Sequence, residues 1–263
     1  MTPARAAVHE LRLFFTAVQF LTRCPVPARV GHDPAWLNQC VRYFPIVGAL
    51  VGASGAVAAI VASWWWPPMV AACFAVLTTV WATGAFHEDG LADTFDALGG
   101  AVPRERALAI MKDSRIGSYG AVALVLSLGL RVSLLAALLE ADRTAAVFAL
   151  VAAHVMGRTG AVGVMASLGY AGDAEHAKAK PLATSVPMAS TVIAVTSGLA
   201  AVTLLACADG RLLRWGSALL ASLLLTLAVR RWFARRLGGY TGDTLGATEQ
   251  CVEIVVLAML SAA

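Results

Sequence analysis

The chain has 263 residues, of which 59% are hydrophobic and 14% charged, with a formal net charge of +4 and a mean hydropathy of +0.74. Soluble domains carry about 25% charged residues, so this composition excludes an ordinary soluble protein and points to an integral membrane protein. The apolar runs are continuous and rich in Ala, Leu and Val; they do not alternate, which selects helices over a β-barrel. A modest positive charge distributed over loops is no argument for nucleic acid. The five cysteines are scattered with no CxxC spacing and suggest neither a disulfide framework nor a thiolate metal site.

Residues 4–23 have helical periodicity. Leu11, Phe14, Phe15, Val18 and Leu21 form one stripe, and Arg12, Thr16, Gln19 and Arg23 the opposite one. This suits a helix lying in the membrane interface, or one packed on the rest of the protein; the two are compatible. Pro25 and Pro27 end it. Arg5, His9, Glu10 and Arg12 interrupt the N-terminus before an apolar core forms, so no signal peptide is expected.

From Tyr43 to Phe86 there is no charged residue. The run is too long for one crossing, and Trp64-Trp65-Trp66-Pro67-Pro68 divides it, because prolines break helices and tryptophans favour the lipid–water boundary. We expect a hairpin of two spans, near 41–63 and 69–86. Further spans are expected near 118–139, 144–168, 185–208, 213–231 and 245–262, seven in all. The expected fold is all-α: a polytopic transmembrane helical bundle of about seven spans plus the N-terminal amphipathic helix, one domain over residues 1–263. Arg104, Arg106, Lys112 and Arg115 fall in one connection, Lys178 and Lys180 in another, and Arg230, Arg231, Arg235 and Arg236 in a third. The positive-inside rule then places the N-terminus and these connections in the cytoplasm.

Immediately after the uncharged run comes Phe86-His-Glu-Asp-Gly-Leu-Ala-Asp-Thr-Phe-Asp-Ala-Leu-Gly-Gly100. On a helix, Asp89, Asp93 and Asp96 stand at i, i+4 and i+7 and share a face. Carboxylates crowded there repel one another, and Mg²⁺, which prefers hard oxygen ligands and keeps phosphate oxygens as partners, relieves that repulsion. Glu88 and His87 adjoin the cluster, and Gly90 lets a backbone or ligand approach. The plainer reading is a solvated acidic face. Against it, the cluster abuts membrane-grade sequence, where ionisable groups are functional by default.

Two more polar motifs fall on the same expected face. Lys112-Asp113-Ser114-Arg115, followed by Gly117 and Gly120, offers two cations, a hydroxyl and glycine-exposed amides to phosphate, with Asp113 either a further metal ligand or a tether for Arg115. A basic interfacial loop that only orients the chain has the same composition. Gly238-Gly-Tyr-Thr-Gly-Asp-Thr-Leu-Gly246 places Asp243 ahead of a helix carrying Glu249 and Glu253, and Arg131 and Arg158 sit inside expected spans. Intramembrane charges of this kind must face protein, water or a cation, so Arg158 is a candidate for phosphate or for an acid. His154, one turn before Arg158, more often marks a satisfied core histidine. Magnesium-type acids beside phosphate-type cations suggest transfer chemistry on a phosphodiester or pyrophosphate.

At these residues the chain resembles the cobalamin synthase family, the adenosylcobinamide-GDP ribazoletransferases of the bacterial membrane. The matching pieces are Phe20-Leu-Thr-Arg-Cys-Pro-Val-Pro27, Tyr43-Phe-Pro-Ile-Val-Gly48, His87-Glu-Asp-Gly-Leu-Ala-Asp93 with Asp96, Met111 to Gly120, and Gly239-Tyr-Thr-Gly-Asp-Thr-Leu-Gly-Ala247. The resemblance implies a Mg²⁺-dependent enzyme of the inner (cytoplasmic) membrane with its active face in the cytoplasm. Its substrates would be adenosylcobinamide-GDP and α-ribazole or α-ribazole 5′-phosphate, GMP would leave, and other late cobalamin-assembly enzymes are possible partners. On this reading Asp89, Asp93, Asp96 and His87 are catalytic. Lys112, Ser114, Arg115, Arg158 and Asp243 bind substrate or phosphate, and Glu88, Asp89, Asp93, Asp96 and Asp113 hold the metal. The Asp-Gly-x-x-Asp core also looks like part of the CDP-alcohol phosphotransferase motif, but Phe86 stands where that motif has its first aspartate, and Ala92-Asp93 replaces its Ala-Arg. The competing readings are an ion-coupled secondary transporter and a CDP-alcohol phosphotransferase acting on lipid.

Overall fold

The computed structural model describes residues 3–31, 33–172 and 186–262. Lys178 and Lys180, used above to orient the chain, and the first residue of the span expected at 185–208 lie outside the described residues. The helices are α1 (Pro3–Leu21), α2 (Pro34–Cys40), α3 (Phe44–Ala62), α4 (Pro68–Thr83), α5 (Phe86–Leu98), α6 (Arg104–Met111), α7 (Ser118–Ala141), α8 (Arg143–Ser167), α9 (Met188–Asp209), α10 (Leu212–Leu237) and α11 (Gly242–Ser261). No strand occurs among the described residues beyond an isolated bridge between Tyr170 and Tyr240.

Among the described residues, six helices are long and apolar enough to cross a membrane: α2 running on into α3, then α7, α8, α9, α10 and α11. The α4–α5 pair, bent by 88° at its junction, brings the number to seven when counted as one span. The all-α polytopic bundle and the Trp-Pro hairpin are as expected, and Trp64, Trp65 and Trp66 stay exposed at the tip between α3 and α4. The α4–α5 junction differs from a simple exit of the second span. Gly84 has φ 71° and Ala85 φ 59°, so two consecutive left-handed residues turn the chain; for alanine this conformation is strained. Consequently α5 turns sharply away from α4 and packs mainly on α11 and α7.

Two details also differ. The buried face of α1 is Leu13, Thr16, Ala17 and Leu21, whereas Leu11 is exposed. The helix packs through a stripe rotated from the expected one, and small residues mark it because they let α1 sit close to its neighbours. Arg230, Arg231, Arg235 and Arg236 belong to the last turns of α10, not to a loop. Arginine is a good helix former, and Arg236 also caps neighbouring carbonyls, donating to Leu98 O at 3.0 Å and Gly100 O at 2.7 Å. Arg104 does the same for Leu237 O at 2.7 Å. These contacts hold the connections at the end of the bundle where α5, α6 and the start of α11 meet.

Candidate functional site

α5 divides its acids between two faces. Asp89 is exposed and Asp93 and Asp96 are half-buried, whereas His87 and Glu88 in its first turn are buried. The i, i+4, i+7 spacing does bring Asp89, Asp93 and Asp96 onto one side. Asp243, from the first turn of α11, joins them: the charges of Asp243, Asp89 and Asp96 all act on Asp93. This juxtaposition rests on two glycines. A Cβ on Gly90 would come within 2.8 Å of the Asp243 carbonyl, and one on Gly246 within 3.1 Å of the His87 carbonyl, so only glycine lets α5 and α11 cross this closely. A capping box between Thr241 and Thr244 starts α11 at the right residue, with Thr241 N donating to Thr244 Oγ1 at 2.9 Å.

Asp93 sits half-buried among the charges of Asp243, Asp89 and Asp96. Four carboxylates sharing one face is the hard-oxygen donor set that Mg²⁺ takes. Asp96 has a second duty. Its two oxygens accept from Gly117 N at 2.7 Å and Gly120 N at 2.8 Å, the N-cap and third residue of α7, so a carboxylate sits at a helix N-terminus where its charge is favoured. That bond also draws the Lys112–Gly117 loop against the acidic face.

In that loop Lys112, Ser114 and Arg115 are exposed. Asp113 holds Arg115: Arg115 Nε donates to Asp113 Oδ1 at 3.0 Å and Nη2 to Oδ2 at 2.5 Å. The Arg115 contacts hold the Asp113 carboxyl down at about 2. Of the two roles open to Asp113, tether for Arg115 or metal ligand, the structure shows the tether.

Beneath the acidic face lies a second, buried group of charges. Glu88 Oε1 accepts from Arg131 Nη1 at 2.9 Å, and the same nitrogen donates to Gln250 Oε1 at 2.8 Å. Arg131 Nη2 pairs with Glu253 Oε2 at 3.0 Å. His154 Nδ1 meets Glu253 at 2.5 Å, His87 Nε2 meets Glu249 at 2.7 Å, and Arg158 Nη1 pairs with Glu249 and, at 3.3 Å, with Glu253. His154, Glu249 and Glu253 are close enough together to be a metal-type cluster, but Arg158 Nη1 lies against all three, ion-paired with both glutamates, and serves as their cation.

The structure therefore does not bring Glu88 or Arg158 to the acidic face. Glu88 sits one position before Asp89, about 100° round the helix, and turns to Arg131. Arg158 is 1% exposed, beside a small cavity of about 30 Å³ that it shares with Phe20, Phe86 and Glu249. His87 is buried against Glu249. Asp243, read from sequence as substrate-binding, is found with the acids. The signal for it was present: an aspartate in the first turn of a helix, after a glycine-rich turn. Its pairing with α5 was not, because the two segments are remote in sequence.

Fold and site together describe a polytopic membrane protein with a carboxylate-rich face at one end of its bundle. Within that class the chain belongs to the cobalamin-5-phosphate synthase family, whose model matches residues 13–261. Curated relatives carry the name adenosylcobinamide-GDP ribazoletransferase. One from Leptothrix cholodnii is 50% identical, covering 95% of this chain and 94% of its own. One from Shewanella amazonensis is 41% identical with 95% of both covered, and one from Shewanella baltica 42% identical with 94% and 92% covered. The protein is thus an enzyme of the transferase class. No solved structure matches it.

Proposed function

We propose that the enzyme joins adenosylcobinamide-GDP to α-ribazole or α-ribazole 5′-phosphate at the cytoplasmic face of the bacterial inner membrane. The acceptor hydroxyl forms a new bond to the phosphorus on the cobinamide arm, the bond to GMP breaks, and the hydroxyl proton is released. The relatives' name gives the reaction class. The observation that carries the reading at this site is the convergence of Asp89, Asp93, Asp96 and Asp243 beside a basic loop.

Asp89, Asp93 and Asp243, with Asp96, would hold Mg²⁺, since their donor set is all carboxylate and their mutual repulsion favours a cation. When bound, the ion supplies charge neutralisation at the phosphate oxygens. The chain supplies the rest. Lys112 and Arg115 face the developing negative charge on the leaving phosphate, and Arg115, held by Asp113, presents a pre-oriented fork.

Purified protein in lipid, given adenosylcobinamide-GDP, α-ribazole and Mg²⁺, is expected to release GMP in step with cobalamin formation. GMP release that needs neither the acceptor nor a divalent cation would overturn the reading.

A further inference from the structure

We infer that Arg131 is a positioning residue that holds the two halves of the acidic face in register. The inference rests on the proposed reading of that face as a Mg²⁺ site. The acids come from two helices, α5 for Asp89, Asp93 and Asp96 and α11 for Asp243. Nothing in the chain's continuity sets their spacing. α5 leaves α4 through a bend of 88° at two left-handed residues, and α11 begins only at Gly242, far along the chain.

One guanidinium spans the gap. Arg131, on α7 and 2% exposed, bonds Glu88 of α5 at 2.9 Å and Gln250 of α11 at 2.8 Å through Nη1. Through Nη2 it meets Glu253 of α11 at 3.0 Å and Thr79 of α4 at 3.4 Å. Glu88 directly precedes Asp89, so fixing its carboxylate fixes the azimuth of α5 at the residue where the acidic face starts. α7 is itself tied to the far end of that face, because Asp96 takes the amides of Gly117 and Gly120. The face is thus clamped at both ends by α7: at Asp96 by the helix start, and at Glu88 by Arg131. A planar fork with five donors can serve three neighbouring helices at once; a lysine, as a point charge, cannot. Buried partners that orient metal-holding side chains change metal affinity by about 10–100-fold when removed.

The test uses full-length protein in one lipid preparation. Arg131→Lys, Glu88→Gln and, as a control for core damage, Leu135→Ala are compared; Leu135 is 1% exposed on α7 and belongs to the apolar core. Two midpoints are read for each: Mg²⁺ activation of GMP release, and Mg²⁺-dependent thermal stabilisation without substrate. We expect Arg131→Lys to raise both Mg²⁺ midpoints about 10-fold or more, with kcat at saturating Mg²⁺ within about threefold of wild type. Glu88→Gln, isosteric and able to keep one hydrogen bond, moves them the same way by less and decides the matter if Arg131→Lys fails to fold. Leu135→Ala lowers the melting temperature and leaves the midpoints alone. Midpoints within twofold of wild type for both charge variants, or an equal shift in Leu135→Ala, overturn the inference. A wild-type protein with no Mg²⁺ midpoint instead removes the reading of the acidic face, and the inference with it.

Discussion

Glu88 and Asp89 are neighbours in sequence and opposites in environment. Asp89 opens onto a face where four carboxylates crowd together, whereas Glu88 enters a buried group in which Arg131 and Arg158 meet Glu88, Glu249 and Glu253, with His87 and His154 beside them. Both regions are drawn largely from α5 and α11. One keeps its charges paired inside the bundle, where an unpaired ion costs several kcal/mol. The other leaves like charges together at an accessible end, which proteins do where a cation or substrate completes the site. The difference teaches that a buried ion network can support an exposed, deliberately unbalanced one a single helical turn away.

The comparison predicts that substitutions at the two regions fail in different ways. The largest expected effect is on turnover. Asp89→Asn and Asp93→Asn should each lower kcat/KM on the order of 10³-fold or more, as expected when charge stabilisation at a metal site is lost, while insertion and melting temperature stay near wild type. Wild-type activity in both would erase the distinction. Next, Glu253→Leu should cost about 3–5 kcal/mol of stability by leaving buried arginines uncompensated. Thermal unfolding in detergent measures this, and a loss under about 1 kcal/mol would mean the buried group is not what holds the bundle here.

A smaller effect belongs to the basic loop. Arg115→Lys keeps the charge and loses the fork held by Asp113, so kcat/KM should fall about tenfold, roughly 1.4 kcal/mol, and Lys112→Arg by less. Equal, near-wild-type values for both swaps would leave the loop as an orientation anchor only.

Much of this was legible in the sequence because it depends on local pattern. Pro67 and Pro68 after three tryptophans give the hairpin, and the Asp89, Asp93, Asp96 spacing gives the acidic face. The spacing also separates Glu88 from that face, since one residue is 100° of rotation; grouping it with the metal ligands ignored that rotation. Other features were not legible, for physical reasons. The 88° bend depends on Ala85 taking a left-handed conformation that alanine rarely adopts, so local propensity argues against it. Arg158 and Arg131 announce that they need partners, but which acids answer is set by how α7, α8 and α11 pack. Likewise Asp243 reaches α5 only because Gly90 and Gly246 face each other's helices.

The clamp on α5 also has a bearing on how the protein is made. Arg131 is synthesised 43 residues after Glu88, and Gln250 follows Arg131 by another 119. Until α11 has entered the bilayer, Glu88 and Arg131 have only part of their network, in a setting that penalises incompletely paired charge. The late arrival of α11 therefore completes the pairing of segments made much earlier, and the acidic face, which takes Asp243 from α11, forms only once that helix is in place.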